Sequence, residues 1–251
     1  KVQAHIATLK NFYSVLKSTA AEHLHFVFLT GVSKYGKISI FSDLNNLLDV
    51  TLDPRFATLL GYTQAELEHY FADRLDQLAQ RYTMNRPEML ALIARWYNGY
   101  SWDGVQTVYV PFSTLVFLEQ QIFANHWFAT ATPSFLIKLL RKRQIPAYEL
   151  EALTADSKLL DSADVNNINV YSLLFQTGYL TIKSTWLGPT GQNYDLGYPN
   201  YEVEQAFEQH LLADYLDPSA AQMSTTLLVR LQKALRSQNV DGFISVLKSI
   251  F

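Results

Sequence analysis

The sequence predicts an α+β fold that is predominantly helical. Apolar residues recur at three- and four-residue spacing in several segments, which is the pattern of amphipathic helices, and only a few short runs have the composition of strands. Within residues 161–220 a helix, a two-stranded hairpin and a second helix follow one another. That order of elements resembles a winged-helix unit. With 251 residues, of which 49% are hydrophobic, the chain can bury one or two cores.

The first elements are a helix over residues 4–18 and a strand over residues 25–30. The helix places Ile6, Leu9 and Phe12 on one face. The strand has the sequence HFVFLT, a short apolar run of the kind found in strands that are buried on both faces. Such a strand needs parallel partners, and one strand cannot form a sheet. We expect those partners to lie upstream of Lys1.

Helix starts and turns define the elements that follow. Thr63 and Glu66 form the capping-box pattern, in which each side chain satisfies a free backbone N–H, and Pro87 suits the first turn of another helix. The other predicted elements are a helix or turn at 38–48, a strand at 49–52 and helices at 63–80, 87–96, 112–124, 133–143 and 220–251.

The stretch WYNGYSWDG (96–104) combines aromatic residues with glycines that mark turns. One interpretation is a stacking platform for bases or another ligand. The other is a packed corner between helices, which fits the tendency of aromatic side chains to be buried. We expect the packed corner.

Composition limits the classes of function. A chain without cysteine forms no disulfide or thiolate metal site, and it fits a reducing, cytoplasmic location. The six histidines never pair at the i, i+4 spacing of a helical zinc site, so we expect no metal centre. The net charge of −3 gives no overall attraction to nucleic acid. The apolar runs are shorter than the ~20 residues of a membrane helix, so no membrane partner is expected.

The loop GVSKYGKI (31–38) comes close to a phosphate-binding P-loop. The full pattern places a Ser or Thr hydroxyl on magnesium, but Ile38 occupies that position here. Ser39 comes one residue too late, and on a helix it would point about 100° away. We therefore reject a P-loop and interpret Lys34 and Lys37 as solvated loop charges.

The densest basic run consists of Lys138, Arg141, Lys142 and Arg143. Cations in the last turn of a helix interact favourably with the helix dipole, and they can also contact nucleic-acid phosphates. Both interpretations remain open. The helix that begins the winged-helix-like unit, NVYSLLFQTGY (169–179), contains no Arg or Lys, which favours a protein-facing role for that helix.

An ordered set of strings resembles the AAA-ATPase-like family, whose members usually carry an ATPase module followed by a PD-(D/E)XK nuclease domain. The strings are FLTGVSK (28–34), FSDLNNL (41–47), DVTLDP (49–54), GYTQAEL (61–67), WYNGY (96–100), PSFLIKL (133–139), QTGYLTI (176–182) and LGYPNYEV (196–203). The chain is similar to the second half of the ATPase module. The resemblance implies that the P-loop and the acidic strand precede this chain and that the nuclease follows it.

The resemblance also implies a division of the chain and a set of functional residues. The segments are the remnant of a P-loop α/β core (1–55), a helical lid (56–160), the winged-helix-like unit (161–220) and connecting helices (221–251). Thr30 and Ser33 become candidate sensors of the γ-phosphate, and Lys34 joins them as a candidate nucleotide-binding residue. A sensor acts only when other parts hold the phosphate and its metal.

These inferences give one expected function and one alternative. The parent protein is expected to be an ATPase that uses ATP and Mg²⁺ and passes its nucleotide state to a partner domain, a nuclease that contacts nucleic acid. This segment is expected to bind no cofactor and to be inactive alone. The alternative is a non-enzymatic winged-helix module that binds nucleic acid or protein.

Overall fold

The computed structural model describes residues 2–17, 23–32, 47–127, 134–145, 150, 153–161, 169–189, 191–215, 227 and 229–248. It is mostly helical with two small antiparallel sheets, in agreement with the predicted class. The helices are α1 (Val2–Ser14), α2 (Gln64–Tyr70), α3 (Ala72–Arg81), α4 (Arg86–Tyr97), α5 (Pro111–Gln120), α6 (Ser134–Lys142), α7 (Ser157–Asp161), α8 (Val170–Gln176), α9 (Tyr201–Tyr215) and α10 (Val240–Lys248). The strands are β1 (Asn98–Tyr100), β2 (Val108–Tyr109), β3 (Leu153–Asp156), β4 (Thr181–Gly188) and β5 (Gly191–Gly197).

Helices α2–α5 and the β1–β2 pair form what we call the helical unit. The predicted capping box is present, because the Thr63 hydroxyl accepts from the Glu66 N–H and the Glu66 carboxylate accepts from the Thr63 N–H. Asn85 and Glu88 cap α4 in the same way. The unit encloses its own apolar cluster, which consists of Leu67, Leu75, Leu78, Ala79, Met89, Ile93, Tyr97, Tyr109, Phe117 and Leu118.

The second unit, which we call the hairpin unit, contains α6–α9 and a three-stranded sheet. The strand order is β3-β5-β4 with every neighbour antiparallel, and β4 and β5 form a hairpin. Helix α8, this hairpin and α9 follow one another in the predicted order. A separate apolar cluster lies beneath the sheet, with Leu140, Leu174, Ile182, Val203 and Phe207 among its most buried members.

Two predicted strands are not formed. Residues 25–30 have no regular secondary structure and are mostly exposed, and residues 49–52 end in a turn. The apolar composition of 25–30 is that of a buried strand, but a strand requires partners for its N–H and C=O groups. Among the described residues no strand pairs with this segment. The predicted helix at 63–80 is also divided into two at Phe71, which caps both α2 and α3.

The aromatic stretch 96–104 is a packed corner, as expected, and it joins the two units. The Tyr97 side chain is fully buried. The Trp96 ring meets the Tyr201 ring edge-on, with 4.8 Å between centroids, and the Arg95 guanidinium lies 4.8 Å from the centre of the same ring. The Tyr100 hydroxyl donates to the Gly178 carbonyl at 3.0 Å. The rings of Trp96 and Tyr100 are half-buried against neighbouring groups and Tyr97 is buried, so the stretch packs as a corner rather than as an open platform for bases.

Backbone contacts hold the corner against the hairpin unit. The Ser101 N–H donates to the Thr181 hydroxyl oxygen at 2.7 Å, and that hydroxyl donates to the Ser101 carbonyl at 2.9 Å. Gly99 has a φ of +121°, and a Cβ atom added there would lie 2.0 Å from the Pro199 carbonyl oxygen. Only glycine permits so close an approach of two backbones.

Within the described ranges, no helix combines the length and the apolar character needed to cross a bilayer.

Replacing Gly99 with alanine tests the closeness of the junction. We expect Gly99→Ala to lower the free energy of unfolding by more than about 4 kcal/mol, because the new methyl group meets rigid backbone as well as an unfavourable φ. Gly191→Ala is the matched control, since Gly191 has a φ of +126° with open space around its Cβ position. Strain alone should cost that variant about 1–3 kcal/mol. Thermal unfolding of both variants measures the difference, and equal losses would contradict a tight junction.

Candidate functional site

One candidate phosphate-sensor residue, Thr30, lies near the end of the segment 23–32. Thr30 is exposed in a stretch without regular structure, whereas Ser33 and Lys34 lie outside the described residues, as does most of the loop 31–38. The rings of Phe26 and Phe28 are stacked at 6.5 Å with an interplanar angle of 7°. Side chains two residues apart share a face when the backbone is extended. The two rings thus lie on the same side of a segment that forms no strand, and the sensor role of Thr30 remains a prediction.

The basic run is brought together on the outer face of α6. Leu136, Ile137 and Leu140 are buried on the inner face of this helix, which contacts α8 and α9. The basic residues on or directly after the helix are Lys138, Arg141, Lys142 and Arg143, and all four are exposed. Spacings of three and four residues place the first three on one side of the helix. The structure thus forms a compact positive surface, which we call the α6 basic face.

A buried carboxylate, which the sequence analysis did not single out, lies at the junction of the two units. Glu202 is in the first turn of α9, and its side chain is 0% exposed. Its Oε1 accepts from the Ser113 hydroxyl of α5 at 2.9 Å and from the Trp127 backbone N–H at 2.9 Å. Its Oε2 has no hydrogen-bond partner among the described residues. One side chain therefore connects three parts of the chain.

The electrostatic setting of Glu202 favours its neutral form. Burial raises the pKa of its carboxyl above the ordinary value, and the hydrogen bonds from Trp127, Ser113 and the His126 backbone oppose that rise. The nearby tyrosines are affected in turn. Burial raises the pKa of Tyr97 and of Tyr100, and the negative charge of Glu202 adds to both increases.

The signal for Glu202 in the sequence is ambiguous. An acidic residue in the first turn of a helix is usually explained by the helix dipole. Asn200, two residues earlier, caps α9 by accepting from the Val203 N–H at 3.1 Å. The local pattern is complete without any distant contact, so the sequence alone does not indicate that Ser113, 89 positions away, is the partner.

Metal ligation is not supported by the geometry of the described residues. Within those ranges no three His, Cys, Asp or Glu side chains converge on a point where one ion could be held. His126 has its Nε2 within 3.1 Å of the Ile122 carbonyl oxygen, which satisfies that ring nitrogen locally.

Comparison with known proteins gives one informative relative. The chain is 40% identical over 218 residues to a protein from Azotobacter chroococcum mcd 1 named as an uncharacterized protein in the vnfD 5' region. The aligned part covers 87% of this chain but 40% of that relative, so the chain spans about two fifths of its length. No protein-family description matches the chain. No solved structure matches it either.

Proposed function

We propose that this chain is the sensor and lid portion of an AAA-type ATPase, which couples the nucleotide state of the parent protein to a partner domain. The observation that carries the proposal is the apolar surface of α1 and of residues 23–32. This surface has the composition of a protein core, yet it is exposed. The remainder of the longer protein would supply the sheet against which it packs.

The exposed apolar residues lie in two neighbouring stretches of the sequence. In α1, Phe12 is 70% exposed, and in residues 23–32 Phe26 is 81% and Val32 is 74% exposed. Isolated apolar residues on a surface are ordinary, but a helix and a nearby segment that both expose theirs support a missing partner. Residues 23–32 make no strand pairing of their own among the described residues, so their backbone groups are open to pairing with the edge of a sheet.

The finer fold assignment belongs to the same proposal. Residues 1–55 would complete a P-loop core, the helical unit would serve as the lid, and α8–β4–β5–α9 would form the winged-helix-like unit. Once the segment joins the sheet, Thr30 would lie at the end of a strand, where a hydroxyl can contact the γ-phosphate or its attacking water. Ser33 and Lys34 would follow in the adjoining loop. ATP and Mg²⁺ would bind mainly to the preceding part of the parent, and a nuclease domain would be the partner.

Nucleotide titration tests this assignment. We expect calorimetry with Mg-ATP to detect no tight binding by the 251-residue chain. The reason is that Ile38 occupies the position where a P-loop has the Ser or Thr hydroxyl that binds magnesium. The full-length parent should bind, and Thr30→Val in the parent should lower the rate of hydrolysis more than the affinity. Tight binding by the chain alone would contradict the proposal and would restore the 31–38 loop as a P-loop.

Polar substitution of the exposed segment tests the missing partner. We expect Phe26→Ser with Phe28→Ser to reduce binding of an apolar dye by the chain without lowering its melting temperature, since both rings are exposed. In the full-length parent the same pair should be destabilising by about 2 kcal/mol or more, because both rings would be buried there. Leu187→Ser is the control, as Leu187 is 82% exposed in a different region. Equal effects of the control and the double variant in the parent would contradict the proposal.

The α6 basic face supports a second candidate function, contact with nucleic acid. Four exposed cations on a short helix concentrate positive charge on a chain whose net charge is −3. Such a patch attracts phosphate groups without reading sequence. Helix α6 packs beside α8 and α9 within the hairpin unit, so a bound duplex would lie on that unit.

A salt titration tests this second function. We expect duplex DNA to bind with an affinity that falls steeply with salt, and Arg141→Gln, Lys142→Gln and Arg143→Gln together should flatten the slope of log K against log[salt] by about two to three units. The control is Arg230→Gln, Lys233→Gln and Arg236→Gln, which removes three exposed charges from the helical residues 229–236. The same flattening in the control would show that net charge, rather than the α6 basic face, causes the binding.

A further inference from the structure

The junction between the helical unit and the hairpin unit has an apolar part and a polar part. The apolar part is the packing of Trp96 and Arg95 on Tyr201. The polar part is Glu202, which receives hydrogen bonds from Ser113 of the helical unit and from Trp127 in residues 121–127, which follow α5. Tyr201 and Glu202 are adjacent in α9, so opening the junction would break both parts, together with the contacts that residues 99–101 make with the hairpin unit.

The closed junction is less favourable than its apolar contacts alone would make it. Transfer of a carboxylate from water into a protein interior is costly unless its charge is paired and its oxygens are hydrogen-bonded. Glu202 makes no ion pair within the described part of the chain, and only its Oε1 is shown to be bonded there. When the junction opens, water can solvate the carboxylate and recover part of that cost.

We propose that this junction opens and closes, that Glu202 is its latch, and that the charged form of the carboxylate favours opening. Neutral Glu202 keeps an acceptor oxygen for the Ser113 hydroxyl and the Trp127 N–H, so protonation removes the cost of burying charge without removing the bonds. The helical unit and the hairpin unit would then change their relative position by a local event. The latch operates on this chain alone, independently of any nucleotide.

The direction of the pH dependence follows from linkage. The closed state raises the pKa of Glu202 above 4.5, so the closed state binds more protons than the open state. The closed junction is therefore most stable at a pH below the ordinary pKa of glutamate. Its stability falls as the pH rises from that pKa through the raised pKa of Glu202, and it is constant at higher pH. The other titratable groups that interact with Glu202 are Tyr97 of α4 and Tyr100 of β1, and His126 contacts it through its backbone. Both tyrosines stay neutral in this range, because burial raises their pKa values.

The charged groups on α9 itself form a separate set. Glu204 lies near Lys183 of β4, whose pKa is lowered by burial and raised in part by that carboxylate. Burial also lowers the pKa of His210 on the same helix. The Ser113 hydroxyl and the Trp127 N–H both donate to Glu202, so the latch is assigned to Glu202.

Hydrogen exchange at the Trp127 amide reports the latch directly, because this N–H is donated to Glu202. After correction for the intrinsic exchange rate, we expect its protection factor in the 251-residue chain to fall by up to about tenfold per pH unit over the titration range of Glu202. The Ile93 amide in the core of the helical unit should show no such change. In Glu202→Gln the Trp127 protection should be independent of pH, since glutamine retains an acceptor but does not ionise.

Two further variants distinguish titration of Glu202 from titration of its neighbours. His126→Gln removes the neighbouring titratable ring and should leave the pH dependence at Trp127 unchanged. Ser113→Ala keeps the carboxylate, so it should lower protection at every pH while preserving the dependence, and it serves if Glu202→Gln does not fold. A Trp127 protection factor that is independent of pH in the unmodified chain, or one that varies equally in Glu202→Gln, would overturn the proposal. Neither outcome depends on whether the parent binds ATP.

Discussion

The close contact between residues 98–104 and the hairpin unit is the constraint on which the arrangement of the two units depends. Each unit encloses its own apolar cluster, and Tyr100 and Trp127 also pack against the cluster of the hairpin unit. The relative position of the units depends further on a few short-range contacts: Gly99 against Pro199, Tyr100 to Gly178, and the pair of bonds between Ser101 and Thr181. Contacts of this kind tolerate little displacement, because hydrogen bonds weaken steeply once their distance and angle change.

Polar groups buried at the junction between the two units affect the stability of that junction. An all-apolar junction would be stronger, since replacing buried charges with apolar groups of similar volume is often neutral or stabilising. Glu202 instead requires specific partners, Ser113 and Trp127, in specific places. The junction gains a defined geometry and loses some stability. That combination is what the proposed opening of the junction requires.

The features that could be predicted from the sequence are those determined by neighbouring residues. The Thr63–Glu66 capping box, the helix–hairpin–helix order and the cations of α6 all depend on spacings within a few positions, and the structure contains each of them. The strand predicted at 25–30 is wrong for the described chain, because strand formation depends on a partner rather than on composition. Strand β3 was missed because it is only four residues long and pairs with β5, about 40 positions later.

The candidate sites differ in the same way, since one depends on neighbouring residues and the other on distant ones. Helical periodicity alone locates the α6 basic face, whereas the role of Glu202 depends on Ser113 being brought beside α9 by the tertiary fold.

The distribution of apolar surface relates these findings to the proposed function. Between Ala57 and Leu211 most of the buried apolar residues belong to the two clusters, so this region has cores of its own. On either side, apolar side chains such as Phe26 and Val240 are exposed. Exposed apolar groups gain free energy when a partner covers them. The central region has its own cores, whereas the segments on either side gain stability when a partner covers them. A change in one of these segments can therefore reach the other only through the junction between the helical unit and the hairpin unit. The contacts around Gly99 and Glu202 are therefore the place where such a signal would pass.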